Sequence, residues 1–286
     1  MKIIKSIPEM HEHCKQLKRD GKTIASLNTG GVLHDGHVHL INIAKDNADV
    51  VIVMLDHPIE FFTMDSELYD KFYKEFVTLD LEEDIELCKK HGVDVFFVPS
   101  MSDMYGDTVT KITLSNPFVK GVIPQYQELV IAHDHMLSYI KDFNILMPDV
   151  SILGQKDIHQ TMSTISMIKD FNFPIKPIIA PIIREPDGLA CSSRNRLLNP
   201  SQRQEATSVY QTLHEISRWS VYPPVAEIKE HITNRLAAAN GEIDYIQICC
   251  FNTLKNLDVL DRKALVIVNA IWGGKTELGD NIIIDP

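Results

Sequence analysis

Two histidines three residues apart, His34 and His37, close the run Thr29-Gly30-Gly31-Val32-Leu33-His34-Asp35-Gly36-His37. An apolar stretch, Thr23 to Leu27, leads into this run, and a segment of helical period, Val38 to Asn47, leads out of it. Between a strand and a helix, glycines let the backbone approach a phosphate, and the helix N-terminus offers free N–H groups and a partial positive charge. Histidines spaced by three lie on one face of the first turn. There, either can donate a hydrogen bond to a phosphoryl oxygen that gains charge during displacement at an α-phosphate. A pair of exposed loop histidines is the plain alternative, and the strand–glycine–helix context favours phosphate chemistry over it. Two further segments carry compatible groups. Leu153-Gly154-Gln155-Lys156-Asp157 ends an apolar run, where a glycine, a lysine and an aspartate can meet ribose hydroxyls and phosphate. Pro186-Asp187-Gly188-Leu189-Ala190-Cys191-Ser192-Ser193-Arg194-Asn195 places two hydroxyls and an arginine after a glycine turn, the makings of a phosphate clamp. Taken singly, a solvated Lys-Asp pair and a helix cap with its salt bridge would account for these two. In order along one chain, the three support one another.

These groups need a scaffold, and the apolar pattern supplies one. Thr23 to Leu27, Val50 to Leu55, Val93 to Val98, Val150 to Leu153 and Ile175 to Ile183 are predicted as buried parallel strands. Helical segments lie between them: Val38 to Asn47, Ser66 to Gly92 with breaks, Val130 to Asn144 and Gln160 to Asp170. Strand and helix in alternation predict an α/β fold with a doubly wound, Rossmann-like parallel sheet. After Arg184 the pattern changes. A helix from Pro200 past Leu213, another over Val225 to Ala239, and strands at Tyr245 to Cys250, Ala264 to Trp272 and Asn281 to Ile284 predict a smaller α+β C-terminal domain. The expected division is residues 1–184 and 185–286.

Composition narrows the partners. The 286 residues carry 28 basic and 39 acidic side chains, a net charge of −11, which disfavours nucleic acid and anionic membrane surfaces as partners. The five cysteines are odd in number, and none stands in a zinc-ligand array. That usage fits a reducing cytoplasm. No signal core leads the chain and no apolar run reaches membrane-spanning length.

The motifs together resemble those of the pantothenate synthetase (pantoate–β-alanine ligase) family, within the HxGH class that includes nucleotidylyltransferases and class I aminoacyl-tRNA synthetases. The segment TGGVLHDGH is similar to the family's TMGALHxGH, LGQKDIHQ to FGEKDxQQ, and REPDGLACSSRN to RxxDGLAxSSRN. Pro58 and Phe61 keep the frame of FVNPxQF, and the likeness runs from Ser26 to Gln204 at the expected spacing. The resemblance implies a carbon–nitrogen ligase that uses ATP and Mg2+ in two steps. A carboxylic acid is activated as an acyl-adenylate with release of pyrophosphate, and an amine then takes the acyl group and releases AMP. By motif position, His34 and His37 stabilise the pentavalent phosphate and Lys156 holds phosphate oxygens. Thr29, Gly30 and Gly36 line the nucleotide, Gly154 and Asp157 meet the ribose, and Ser192, Ser193 and Arg194 close over the β- and γ-phosphates. An acidic pair matching Glu83 and Asp84 holds magnesium in the family, although LEEDIEL reads equally as a solvated helix face. A homodimer is the family precedent.

The departures concern the acid pocket. His57 and Glu60 stand where the family has asparagine and glutamine, Glu128 falls where it has an arginine, and Gly30 replaces a methionine. Gln160 retains the glutamine after GEKD, with His159 before it. A carboxylate at Glu60 opposes a carboxylate substrate by about 4 kcal/mol at 4 Å and an effective dielectric near 20. Weak or absent turnover of pantoate with β-alanine is therefore expected, with preference for an acid or amine that bears a positive group. Two rival readings are a nucleotidylyltransferase acting on a phosphorylated small molecule and an ATP-binding protein without catalysis.

Overall fold

Short β-branched runs that are apolar on both faces make strands that must be covered on both sides, and six of them pair here in one all-parallel sheet. The structure is a computed structural model and describes residues 1–56, 81–105 and 131–286. The strands are β1 (Lys2–Ile4), β2 (Ile24–Thr29), β3 (Val50–Leu55), β4 (Val95–Phe97), β5 (Val150–Gly154) and β6 (Lys176–Ala180), in the spatial order β1-β4-β3-β2-β5-β6. Helices follow the strands: α1 (Ile7–Arg19), α2 (Asp35–Asn47), α3 (Leu81–Lys90), α4 (Met101–Tyr105), α5 (Ile131–Leu146) and α6 (Ile158–Asp170).

Alternate residues of the central strands feed two cores. Ala25, Leu27, Val51 and Val53 pack with Ile41 of α2 and Cys88 of α3. Ile24, Ile52 and Met54 pack with Met10 of α1 and Leu146 of α5. Helices thus cover both faces, as the doubly wound reading of the sequence requires. The strand order reverses between β2 and β5, which are paired only at Ala25–Val150 and Ser26–Ser151. Beyond that register β2 runs on to Thr29 with no partner in β5, so the two carboxyl ends part at the topological switch point, where ligands of such sheets bind.

The chain divides into two compact units. The first takes its described residues from 1–56, 81–105, 131–154 and 160–180, and the second comprises 155–159 and 181–286. In the second unit, α7 (Pro200–Ile216) and α8 (Val225–Ala237) cover an antiparallel sheet, β7 (Glu242–Cys250), β8 (Ala264–Trp272) and β9 (Thr276–Ile284), ordered β7-β8-β9. Leu213, Ile228, Ile232, Val266, Val268 and Trp272 form its core, all at or near zero exposure. The start of α7 is fixed by a reciprocal cap between Asn199 and Gln202 with Pro200 in the first position. The third strand runs from Thr276, five residues before the expected start at Asn281, because β9 pairs along its whole length with β8. Among the described residues no helix is long and apolar enough to cross a membrane.

Candidate active site

In the first unit, the chain leaves β2 at Thr29 and enters α2 at Asp35, and the polar groups of the turn between them are closely held. The imidazoles of His34 and His37 form a reciprocal cap. The Gly36 N–H donates to His34 Nδ1 at 3.1 Å, and the His34 N–H donates to His37 Nδ1 at 3.2 Å. An imidazole that accepts at Nδ1 carries its proton on Nε2, so the caps fix both tautomers with Nε2–H as donor. The two rings lie 4.2 Å apart between centroids, tilted by 51°. His37 Nε2 is 3.2 Å from Thr29 Oγ1, which also accepts the Gly31 N–H at 3.1 Å. Gly30 is exposed, and a Cβ there would meet nothing within 4 Å, which leaves room for a ligand close to the backbone. Gly31 turns at φ 88° and Val32 at φ 54°. For a β-branched residue that left-handed conformation costs about 1–2 kcal/mol, so the surroundings must impose it.

Asp84 imposes it. Its carboxylate, 3% exposed on α3, accepts the Val32 N–H at 2.9 Å and the Leu33 N–H at 2.7 Å, one on each oxygen. Of the acidic pair implied for magnesium, Asp84 anchors the glycine loop from beneath, and Glu83 is exposed beside it. Magnesium needs an open carboxylate with space for the waters it retains. A buried carboxylate that holds two amides does not fit that need, and among the described residues no group of three or more His, Cys, Asp or Glu forms a metal cluster.

In the second unit, Lys156 lies in a short 3-10 turn, Gln155–Asp157, half-buried, with its ammonium 3.4 Å from Asp157. Residues 183–191 fold back on themselves through an Arg184–Ala190 bridge. Gly188 turns this segment at φ +93°, where a Cβ would stand 2.2 Å from the Tyr210 ring. Ser192 then caps a second 3-10 turn, Ser193–Leu197, accepting the Arg194 N–H at 3.3 Å. Arg194 reaches towards Glu277, 3.8 Å from its carboxylate. Lys156, Ser192, Asn195 and Asp280 line a recess of about 10 Å³, room for one water. Gly154, at the end of β5 in the first unit, has open space at its α-carbon, and its carbonyl accepts from Thr161 Oγ1 at 2.7 Å. Gln160 is exposed on α6, and burial pushes the pKa of the neighbouring His159 down to about 4, which keeps that ring neutral. His57, Glu60 and Glu128 lie outside the described residues.

The structure gives Asp84 and Arg184 roles that their motifs did not state, beneath the loop and beside Asp280, and adds Glu277, Asp280 and Asn281 around the second unit's turns. Each acts across a sequence separation too long for a motif to reveal. Asp280 and Asn281 are buried polar residues in a strand, and that mismatch is the signal a sequence reading has available.

A parallel sheet with its switch point at β2 and β5, a glycine turn, and a helix capped by two histidines define an HxGH-type, nucleotide-binding α/β protein. Residues 2–283 match the family described as Pantoate-beta-alanine ligase. The pantothenate synthetase of Thermotoga petrophila is 34% identical over 290 residues, covering 99% of this chain and 100% of that one. That of Geobacillus thermodenitrificans is 33% identical over 299 residues, covering 100% and 97%. Among solved structures, the pantothenate synthetase of Thermus thermophilus superposes with a TM-score of 0.87 at 26% identity, each chain covered in full. The pantoate-beta-alanine ligase of Francisella tularensis, complexed with β-γ ATP and β-alanine, gives 0.79 at 26% identity, covering 99% and 97%. The chain belongs to the pantoate–β-alanine ligase family, carbon–nitrogen ligases that form an amide with release of AMP.

Proposed function

We propose that this protein condenses pantoate with β-alanine at the expense of ATP, through a pantoyl-adenylate. The family match across residues 2–283 carries this reading, and the histidine-capped helix at the switch point supports it. One carboxylate oxygen of the acid attacks the α-phosphorus as the bond to the bridging oxygen of pyrophosphate breaks. The amine nitrogen then attacks the acyl carbon, loses a proton, and AMP departs with the electrons of the carbon–oxygen bond. Nε2–H donors on His34 and His37 suit the first step, because the caps hold both rings in the donor tautomer, and His37 would exchange its contact with Thr29 for the phosphoryl oxygen where charge develops. Lys156, Ser192, Ser193 and Arg194 are assigned to the phosphate chain, and Gly154 and Asp157 to the ribose. Magnesium bound with the nucleotide would supply neutralisation of phosphate charge, and Asp84, engaged by the Val32 and Leu33 amides, is not assigned to hold it. A cytoplasmic homodimer accompanies this assignment, and burial pushes Cys14, Cys88 and Cys249 up to about 12, which keeps those thiols protonated and unreactive.

A second reading concerns the acid and the amine alone. Glu60 and Glu128 bring negative charge, and His57 a ring, to positions where the family has neutral or basic groups, which favours a substrate with a positive group. Each wrongly paired polar group forfeits about 1–3 kcal/mol, enough to change specificity several-fold to several-hundred-fold. Pyrophosphate release over a panel of small acids, with and without amines, separates the two. Ordinary efficiency with pantoate and β-alanine ends the second reading. Weak release with pantoate that rises in the Glu60→Gln, His57→Asn double variant supports it, and ATP turnover with no acid of the panel ends both.

A further inference from the structure

Two neighbouring residues near the end of the chain grip both loops that carry the second unit's phosphate-seeking groups. Asp280 and Asn281 follow one another on β9, so their side chains leave opposite faces of the strand. They are 5% and 1% exposed, a burial that polar side chains tolerate only when they are engaged. Asn281 engages the Gln155–Asp157 turn. Its Nδ2 donates to Gln155 O at 2.9 Å and to Lys156 O at 3.0 Å, and its Oδ1 accepts from Gln155 Nε2 at 3.1 Å. Asp280 engages the other loop. Its carboxylate takes the Arg184 guanidinium in a two-point pair, 2.6 and 3.0 Å, and accepts the Asn281 N–H at 2.8 Å. Arg184 passes that hold onward: it donates to Gly188 O at 3.1 Å, bridges to Ala190 two residues before Ser192, and lies 4.4 Å over the Tyr210 ring.

We infer that Asp280 and Asn281 are a positioning pair, which sets the spacing between Lys156 and the Ser192–Arg194 loop so that both take the nucleotide's polyphosphate together. This rests on the ATP reading above. A carboxylate beside a phosphate site is tolerable because Arg184 neutralises it at two points, and the carboxyl group's work is to fix that arginine. Asn281 is suited to its place because only a primary amide offers two donors and an acceptor in one plane; an aspartate would turn an oxygen towards two carbonyls. Neither residue needs to touch the nucleotide. The recess among Lys156, Ser192, Asn195 and Asp280, with the buried Asn195 Oδ1 lacking a hydrogen-bond partner, lies where the two holds converge.

The test compares binding of a non-hydrolysable β,γ-ATP analogue with binding of AMP, by calorimetry on the full chain, for wild type, Asn281→Ala and Arg184→Lys. Both variants should weaken the analogue by about tenfold or more and AMP by a smaller factor, under about twofold for Arg184→Lys, because both disturb the β- and γ-phosphates while only the turn held by Asn281 also carries the ribose-assigned Asp157. Arg184→Lys keeps the charge and abolishes the two-point pair, so it carries the same expectation through the other loop and stands alone should Asn281→Ala fail to fold. Parallel loss of AMP and analogue, or analogue affinity unchanged in a folded variant, overturns the inference and leaves the ATP reading standing. Wild type that binds the analogue no more tightly than AMP removes the ATP reading, and the inference with it.

Discussion

His37 holds the first turn of α2 and, in the proposed chemistry, meets the phosphoryl group as well. Its Nδ1 accepts the His34 amide, and that bond leaves the Nε2 proton as a donor, 3.2 Å from Thr29. A cap of this kind contributes about 1 kcal/mol to the helix, whereas a preorganised donor to a developing oxyanion is worth about 2.7–4 kcal/mol in the transition state. The second effect is the larger, so His37→Ala should fold and lose rate. A fall in kcat for adenylation of about 10²-fold or more, with the KM for ATP changed far less, is expected from steady-state pyrophosphate release. A variant whose only defect is a raised KM for ATP would show that His37 binds the ground state and the transition state equally. Asp84 illustrates the converse. Its type and its helix suggest a metal ligand, and its hydrogen bonds to Val32 and Leu33 make it the support of a strained turn.

At the scale of elements, much was legible because the signals were local. The runs at Val50 to Leu55 and Val150 to Leu153 are strands to within a residue, since parallel strands covered on both faces must be apolar throughout. The three motifs fell on a strand-to-helix turn and two 3-10 turns for the same reason: glycine and capping side chains act within a few residues. For strand β9 the apolar pattern marks only Asn281 to Ile284 of the nine residues Thr276–Ile284. Gly279, Asp280 and Asn281 have poor strand preference, and tertiary partners at Arg184, Gln155 and Lys156 override it. Only Ile4 of the edge strand β1 is buried, so its three residues give little periodic signal. Gly188 shows how tightly one such turn is bound to its helix. Alanine there must adopt φ near +93° with its methyl 2.2 Å from Tyr210, and the ring cannot withdraw easily between Arg184 at 4.4 Å and the stacked His214 ring at 5.3 Å. Left-handed strain and overpacking together should cost about 2–5 kcal/mol. Thermal unfolding of Gly188→Ala should show Tm lower by about 5–15 °C, and a melting curve within a degree of wild type would contradict the described turn.

For the whole molecule, the balance of 28 basic against 39 acidic side chains makes any buried carboxylate a liability at neutral pH. Asp142 on α5 is such a group. It is fully buried, its Oδ2 accepts from Asn28 of β2, and its Oδ1 has no hydrogen-bond partner. Asp56, buried at the end of β3 and bonded to Ser138 at 2.6 Å, repels it, while Lys141 offsets a smaller part. Burial first, and then Asp56, raise the Asp142 pKa well above the usual carboxylate range. The sign of the linkage follows. A carboxyl group whose folded pKa is raised contributes stability that is fully present below its unfolded pKa, about 3.9, and is lost as pH rises through the folded pKa. The substitution Asp142→Asn would keep an acceptor for Asn28 and place a donor where Oδ1 now has none, with nothing left to ionise. Relative to wild type, the variant should therefore gain stability from pH 4.5 to pH 8, its Tm advantage growing by about 2–4 °C for each kcal/mol recovered. Melting curves at both pH values decide the matter, since a difference between the two proteins that is flat with pH, or that shrinks as pH rises, would mean that Asp142 is not a suppressed acid in the folded protein.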